Sequence, residues 1–306
     1  MKLFAPKKPA SAQSTEQTDL SATLAEIAER LNKLERVIVD LKQNVDLLPA
    51  VVRKLYLDGV ELPPPYDLTA ERFSYLSQND EDGLVLALFR RIGTTDRRFV
   101  EVGCGMNGGN SGFLAQECGW RGLMIDGRPA AIEKVTVRFT GHAVTPLLTR
   151  VARDNINALL TEHGMTGEID LLSIDVDGID YWLWEAVTTC QPRVVAIEYN
   201  WLFGAERTVT IPYDANFDLD AVGTSGYRGA SLAAMVHLGQ QKGYRLVATE
   251  RVNAFFLRND IAPEVPSLDV KRGYRAPLNI ARAKDVFGKI RKAGLPLVNV
   301  VTGESE

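Results

Sequence analysis

Three short stretches of this chain begin apolar and end in groups that can do chemistry. In the first, Phe99-Val100-Glu101-Val102 runs into Gly103-Cys104-Gly105-Met106-Asn107-Gly108-Gly109-Asn110-Ser111, and Gly122-Leu123-Met124-Ile125-Asp126 follows. The order is strand, glycine turn, helix, strand, acid, which is a way of gripping a nucleotide cofactor. Glycines let the backbone approach a ligand, a helix N-terminus offers unpaired N–H groups, and an acid at the end of the second strand can take two ribose hydroxyls. Gly103, Gly105 and Gly108 also spell the dinucleotide spacing, with Asp126 about 20 residues on. Glu101 leans the other way, since a carboxylate there meets the charged amino-acid end of a ligand but repels a pyrophosphate.

The second and third stretches are Ile169-Asp170-Leu171-Leu172-Ser173-Ile174-Asp175-Val176-Asp177-Gly178 and Arg193-Val194-Val195-Ala196-Ile197-Glu198-Tyr199-Asn200. Both read as strands ending in acids or amides. Together with Glu101-x-Gly103-x-Gly105, they make the chain resemble class I S-adenosylmethionine-dependent methyltransferases, particularly bacterial O-methyltransferases of sugars and natural products. The resemblance runs roughly from Phe99 to Arg258 and includes the closing pair Gly243–Val247 and Asn253–Arg258.

The resemblance implies S-adenosylmethionine as cofactor and assigns residues to it. Gly103, Cys104 and Gly105 pass beneath the methionine part, Glu101 faces its amino end, and Asp126 holds the ribose. Asn110 and Ser111 either cap the next helix or bind the cofactor carboxylate. Asp154 and Asn155 meet the adenine edge, with a plain helix cap as the other reading of Asp154. Asp175, Asp177 and Glu198 form the catalytic group, and Mg²⁺ on Asp175, Glu198 and Asn200 would hold two acceptor hydroxyls and acidify one. The related enzymes carry adjacent carboxylates on the later strand, whereas Glu198 here precedes Tyr199 and Asn200. A metal-free role for Asp175 and Asp177, as cofactor contact or direct base, therefore stays open.

Positioning these groups needs a sheet. Strands are expected near 98–103, 121–126, 144–151, 169–175, 193–199, 244–249 and 253–258, alternating with helices until the last pair. The fold class is α/β: a Rossmann-like doubly wound seven-stranded sheet with an antiparallel last strand, preceded by an N-terminal coiled-coil helix. The expected divisions are a polar tail over 1–18, the coiled coil over 19–56, and a linker and helical lid over 57–95. A methyltransferase domain over 96–262 and an extension over 263–306 follow. Within the lid, a helix is expected from Thr69 to Arg91.

The coiled coil rests on Leu24, Leu31, Ile38, Val45 and Val52 at heptad position a, with Leu20, Ile27, Leu34, Leu41, Leu48 and Leu55 at d. So narrow a seam suits self-association into a homo-oligomer, and Arg30 at g can pair with Glu35 at e of a second strand. Docking of the stripe on the chain's own domain is the alternative.

Between the third stretch and the next helix, Trp201 to Tyr227 is a long insertion. It is assigned to acceptor recognition, with Tyr213, Asp214, Tyr227 and Asn200 as substrate contacts. Tyr181, Trp182 and Trp184 read mainly as core, and the scattered His142, His163 and His237 make no ligand set.

Composition narrows the class further. The 306 residues are 45% apolar with a net charge of −4, enough for a full core and not the basic face that nucleic acid favours. Cys104, Cys118 and Cys190 lack metal or disulfide spacing. No apolar run approaches the ~20 residues of a membrane span, and Lys7-Lys8-Pro9 leads into polar residues, so a cytoplasmic protein is expected. The expected activity is methylation of a hydroxyl on a sugar, glycan or glycosylated metabolite. An NAD-dependent oxidoreductase and a non-catalytic coiled-coil scaffold are the competing classes.

Overall fold

A computed structural model describes residues 23, 27–35, 37–38, 68, 72–224, 226–275 and 280–305. The chain divides into two compact units, Met1–Val60 and Glu61–Glu306. In the first, residues 27–35, 37 and 38 are helical, here α1. Ile27, Leu31, Leu34 and Ile38 of the heptad seam are all exposed. Lys33 pairs with Glu29 one turn earlier at 3.4 Å. Most of the expected coiled coil, including Leu20, Leu24, Leu41 and everything to Leu55, lies outside the described residues.

The second unit is built on seven strands: β1 (Arg98–Val102), β2 (Arg121–Asp126), β3 (Val144–Leu148), β4 (Gly167–Ile174), β5 (Cys190–Glu198), β7 (Tyr244–Glu250) and β8 (Asn253–Arg258). Their spatial order is β3-β2-β1-β4-β5-β8-β7. The five strands from β3 to β5 pair in parallel, and β8 is antiparallel to both β5 and β7. This is the expected doubly wound sheet with a reversed last strand. β8 reverses because only Arg251 and Val252 separate it from β7, which is too short for a crossover.

Helices cover both faces. Ile156 and Leu160 of α5 (Ile156–Glu162), Leu183 and Trp184 of α6 (Asp180–Ala186), and Leu232, Met235 and Leu238 of α8 (Leu232–Gln241) bury one face. Leu84, Val85 and Leu88 of α2 (Glu81–Ile92), Leu114 of α3 (Gly112–Glu117) and Val135 of α4 (Pro129–Arg138) bury the other. Because β1 has its forward neighbours on opposite sides, the order reverses between β1 and β4. Crevices at such reversals receive ligands at the strands' carboxyl ends.

The expected helix from Thr69 is shorter than its pattern: residues 72–74 are irregular, 75–80 form bends, and α2 starts only at Glu81. Buried Asp82 explains it. One of its oxygens accepts the backbone N–H groups of Tyr75, Leu76 and Ser77, at 2.7 to 3.0 Å. Acid side chains that take up backbone donors compete with the helix ladder.

The insertion and the C-terminal extension are packed together. β6 (Val209–Thr210) pairs antiparallel with β9 (Val298–Asn299). Ile290, from α10 (Ile280–Lys292), and Leu297 are buried with Phe203, Val209, Ile211 and Tyr227. The C-terminal extension thus carries an apolar seam that holds the insertion. Among the described residues no helix is long and apolar enough to cross a membrane.

At the opposite, amino end of the sheet, fully buried Asp170 on β4 accepts from Thr95 N, Asp96 N, Arg97 N and Thr95 Oγ1, and from Arg193 Nη1 at 2.9 Å. Arg193 also donates to the Ile92 and Gly93 carbonyls, closing α2 onto β1. Asp170→Ala leaves a buried guanidinium without its counter-charge and several N–H groups without an acceptor, so urea unfolding should show a loss of ~3–5 kcal/mol. A loss below ~1 kcal/mol would mean that water satisfies this turn.

Candidate functional site

The carboxyl ends of β1, β2 and β4 open into a cavity of about 450 Å³ lined by Gly103, Asp126, Arg128, Thr149 to Val151 and Asp175 to Ile179, with Phe217 to Asp220 over it. A more open depression lies at the amino ends of the strands, lined by Asp96, Arg98, Arg121, His142 and His163. It is larger, but its charges are spent on structure: Arg98 pairs with Asp96 and donates to the carbonyls of Gly164 and Glu168.

Close approach of backbone to backbone shapes the glycine turn. Gly103 sits at φ 89, and a β-carbon there would come within 1.7 Å of the Asp175 carbonyl oxygen. Glu101 does not face the cavity as expected; it is fully buried under the turn. Its carboxylate accepts from Asn110 N (3.2 Å), Ser111 N (3.0 Å), Ser111 Oγ (2.6 Å) and Ser173 Oγ (2.8 Å). Asn110 Nδ2 in turn donates to Ser173 Oγ. Asn110 and Ser111 are thus engaged by the protein's own carboxylate, and neither lines the cavity. The acceptor at this helix start is Glu101. Burial pushes its carboxyl up to about 7, against the opposing pull of these hydrogen bonds.

Cys104 is buried, and burial, with the charges of Asp126 and Glu101, raises its thiol far above the ordinary range. It is inert packing inside the turn. Gly105 N donates to Asp126 Oδ2 at 3.0 Å. Asp126 also accepts from Arg128 N, Nε and Nη2, each at 2.9 Å. Burial raises the Asp126 carboxyl, but the hydrogen bonds and charge of Arg128 outweigh it and hold it below its usual value. A carboxylate offers about four lone-pair positions, and here all four are taken. The two held by the Arg128 side chain, which is 67% exposed, are the most open to exchange with a ligand's donors.

After β3, Thr149, Arg150 and Val151 reach the cavity rather than the expected Asp154 and Asn155. Asp154 is exposed. Asn155 Oδ1 accepts from Ala152 N and Nδ2 donates to Arg150 O, so this amide folds its own loop.

The acids at the ends of β4 and β5 come together. Asp175, Asp177 and Glu198 each place an oxygen so that all three lie within 4.8 Å of one another. Asp177 adopts the left-handed φ of 54. Two residues that the sequence reading passed over complete the cluster. Asp180, fully buried, closes the turn by accepting from Val176 N and Gly178 N. Arg228 donates to Asp177 at 2.8 Å and to Glu198 at 2.9 Å. The signal for Asp180 was an acid at a helix start just after a glycine; Arg228 left only a lone cation between glycines.

Burial raises Asp175 well above the carboxylate range, and Asp180, Asp177 and Glu101 add to it. Glu198 is likewise raised by burial and Asp175, against the pull of Arg228. Asp180 reaches about 6, mainly through burial. Asn200 does not fit the expected ligand or substrate role. Its Nδ2 donates to the Gly226 and Arg228 carbonyls at 2.8 Å, and its Oδ1 accepts from Leu202 N.

The expected acceptor contacts also serve the insertion itself. Tyr227 is buried and donates to Pro296 O at 2.6 Å. Asp214 accepts from Asn216 N in a local turn. Tyr213 accepts from Arg153 N, and the Arg153 guanidinium lies 5.1 Å from its ring and 5.0 Å from that of Trp182. Arg150 donates to the carbonyls of Ala215 and Phe217. These contacts tie the insertion to the cavity's rim.

No protein-family model and no curated protein matches the chain. Solved structures do. The chain is similar to a TehB-like SAM-dependent methyltransferase from Corynebacterium glutamicum, at 12% identity and a TM-score of 0.37, covering 59% of this chain and 90% of that one. An S-adenosylmethionine-dependent methyltransferase from Clostridium acetobutylicum gives 11%, 0.36, 57% and 89% in the same order. Mitomycin 7-O-methyltransferase gives 16%, 0.36, 58% and 53%. At such identities and scores no shared substrate follows.

The raised carboxyl of Glu101 has a pH consequence. Its folded value of about 7 exceeds the ordinary 4.5, so the folded chain keeps a proton that the unfolded chain releases. Its contribution to stability is complete below pH 4.5 and is lost as pH rises through about 7, a change on the order of 3 kcal/mol. Glu101→Gln removes this titration, so its urea-unfolding stability should fall less steeply than the wild type's across that window. Asp82, Asp180 and Glu198 titrate in both proteins, and relief of Asp175 from the Glu101 charge changes the slope in the same direction. Equal slopes would show that Glu101 is already ionised in the folded protein.

Proposed function

We propose that this chain is an S-adenosylmethionine-dependent O-methyltransferase acting on a hydroxyl of a sugar, glycan or glycosylated metabolite. The observation that carries the reading is the burial of Glu101 under the glycine turn. A dinucleotide site needs the helix N-terminal N–H groups for its pyrophosphate. Here Asn110 N and Ser111 N already donate to Glu101. A nucleoside cofactor without phosphates has no use for those donors. The sheet order, with β8 antiparallel between β5 and β7, also departs from the parallel order of dinucleotide folds.

When bound, such a cofactor supplies a methyl sulfonium for in-line attack by an oxygen. The chain's part is to hold the two reactants and remove a proton. Asp126 takes the ribose once Arg128 swings aside. Asp175, on the cavity wall, accepts the hydroxyl proton in its ionised form, and burial raises its affinity for that proton. Asp177 and Glu198 flank it, and such a cluster of acceptors suits a polyhydroxylated substrate.

Calorimetry should show S-adenosylhomocysteine binding and NADH failing to bind. Asp126→Ala should weaken binding by at least about tenfold, the loss of hydrogen bonds to a charged group worth ~1.5–3 kcal/mol. Arg128→Ala should strengthen it, since nothing then competes for the ribose seat. With a 2′,3′-dideoxy analogue that gain should vanish. Tight NADH binding would sink the reading, and weaker binding by Arg128→Ala would make Arg128 an ordinary ligand contact.

We also propose that α1 associates with a second copy, because the exposed seam of Ile27, Leu31, Leu34 and Ile38 matches itself and Arg30 and Glu35 are complementary across it. Replacing Leu31 and Leu34 with Asp should lower the mass seen by light scattering. An unchanged mass would assign any assembly to another surface.

A further inference from the structure

Three carboxylates with converging oxygens invite a divalent ion, yet the same space already holds a cation. The oxygens of Asp175, Asp177 and Glu198 lie within 4.8 Å of one another. Arg228 reaches two of these acids at once, Nη1 to Asp177 Oδ1 at 2.8 Å and Nη2 to Glu198 Oε1 at 2.9 Å. A guanidinium is a rigid planar fork that stays charged, suited to bridging carboxylates.

The chain also builds a mount for this arginine. Asn200 Nδ2 donates to the carbonyls of Gly226 and Arg228, on either side of Tyr227. Gly229 N donates to Gly178 O at 2.8 Å, binding the arginine's loop to the turn that carries Asp177. Glu198 is 7% exposed in its side chain and Arg228 31%, so the pair sits away from bulk water. An ion entering here would meet a fixed positive charge and would have to displace it from both acids. Asn200, the remaining expected ligand, has its oxygen on Leu202 N.

We propose that Arg228 is the resident cation of the Asp175–Asp177–Glu198 cluster, standing where a divalent metal would otherwise sit, so that the site works without a metal and loss of the arginine creates a metal site. Arg228 also acts as a positioning residue, holding Asp177 and Glu198 apart at fixed separation beside Asp175. The test of this assignment requires neither cofactor nor acceptor, so its outcome is independent of whether the chain methylates anything.

Mn²⁺ is the probe, titrated into the full chain and followed by electron paramagnetic resonance and calorimetry. The wild type and Arg228→Lys, which both keep the positive charge, should show no saturable binding. Arg228→Ala should bind one ion per chain at least about tenfold more tightly than the wild type, equivalent to ~1.4 kcal/mol or more. Adding Glu198→Gln to Arg228→Ala should abolish that binding. Circular dichroism checks that each variant is folded, and Arg228→Gln, which keeps an N–H donor and much of the length, repeats the test. Variants that unfold alone but regain structure with Mn²⁺ also support the assignment. Saturable wild-type binding that Glu198→Gln removes, a folded Arg228→Ala no tighter than wild type, or variants that Mn²⁺ cannot restore would each overturn it.

Discussion

A carboxylate withdrawn from water organises the carboxyl end of this sheet. Burying Glu101 is costly unless every lone pair finds a donor, and the donors come from three places: the turn's backbone, the Ser111 hydroxyl and Ser173 on the neighbouring strand. Satisfying Glu101 therefore pins the glycine turn to β1 and β4 together. The glycines are the geometric condition for it. A β-carbon on Gly109 would fall 2.1 Å from Glu101 Oε1, and one on Gly103 would strike the Asp175 carbonyl. With the turn so placed, Asp175 follows at a set distance, because its N–H donates to Val102 O at 2.8 Å. Glycine turn and acid cluster are two ends of one packing solution.

Charge balance is the second constraint. Around the cavity, Asp175, Asp177, Asp180 and Glu198 face Arg228, while Asp126 faces Arg128. The acids outnumber the cations, and this excess adds to burial, the larger cause, in raising the carboxyls of Asp175, Asp180 and Glu198. Such a site attracts positive charge and favours protonated carboxyls. The opposite end of the sheet has the reverse character: Asp170 and Arg193 are matched, saturated and structural.

The architecture was legible in the sequence because it depends on patterns that a sequence displays. Apolar runs ending in glycine or acid marked the strands of the sheet, and the short gap after Glu250 marked the reversed hairpin. The site was legible only in part. Asp126, Asp175, Asp177 and Glu198 were visible as strand-end acids, but where a side chain points is settled by packing. Glu101 was expected to face a ligand, yet it turns beneath the loop because the loop's N–H groups need an acceptor. Asn200, Tyr213 and Tyr227 have ligand-like chemistry, yet the insertion consumes it. Arg228 and Asp180 were missed since their partners lie on separate elements, and no spacing rule announces a contact across the fold.

The insertion ties the cavity and the acid cluster together mechanically. Phe217 and its neighbours roof the cavity, and the Phe217 ring lies so close to Gly178 that a β-carbon there would come within 2.6 Å of it. The same segment is tethered on the cavity side by Arg150 and Arg153, and further along by Tyr227 to Pro296 and by β6 to β9 of the extension. Arg228 immediately follows the anchored Tyr227. Whatever parts Phe217 from Gly178 to admit a ligand must therefore pull on the loop that holds Arg228 against Asp177 and Glu198. The C-terminal extension joins this linkage, because Phe217 packs against the apolar cluster to which Ile290 and Leu297 belong.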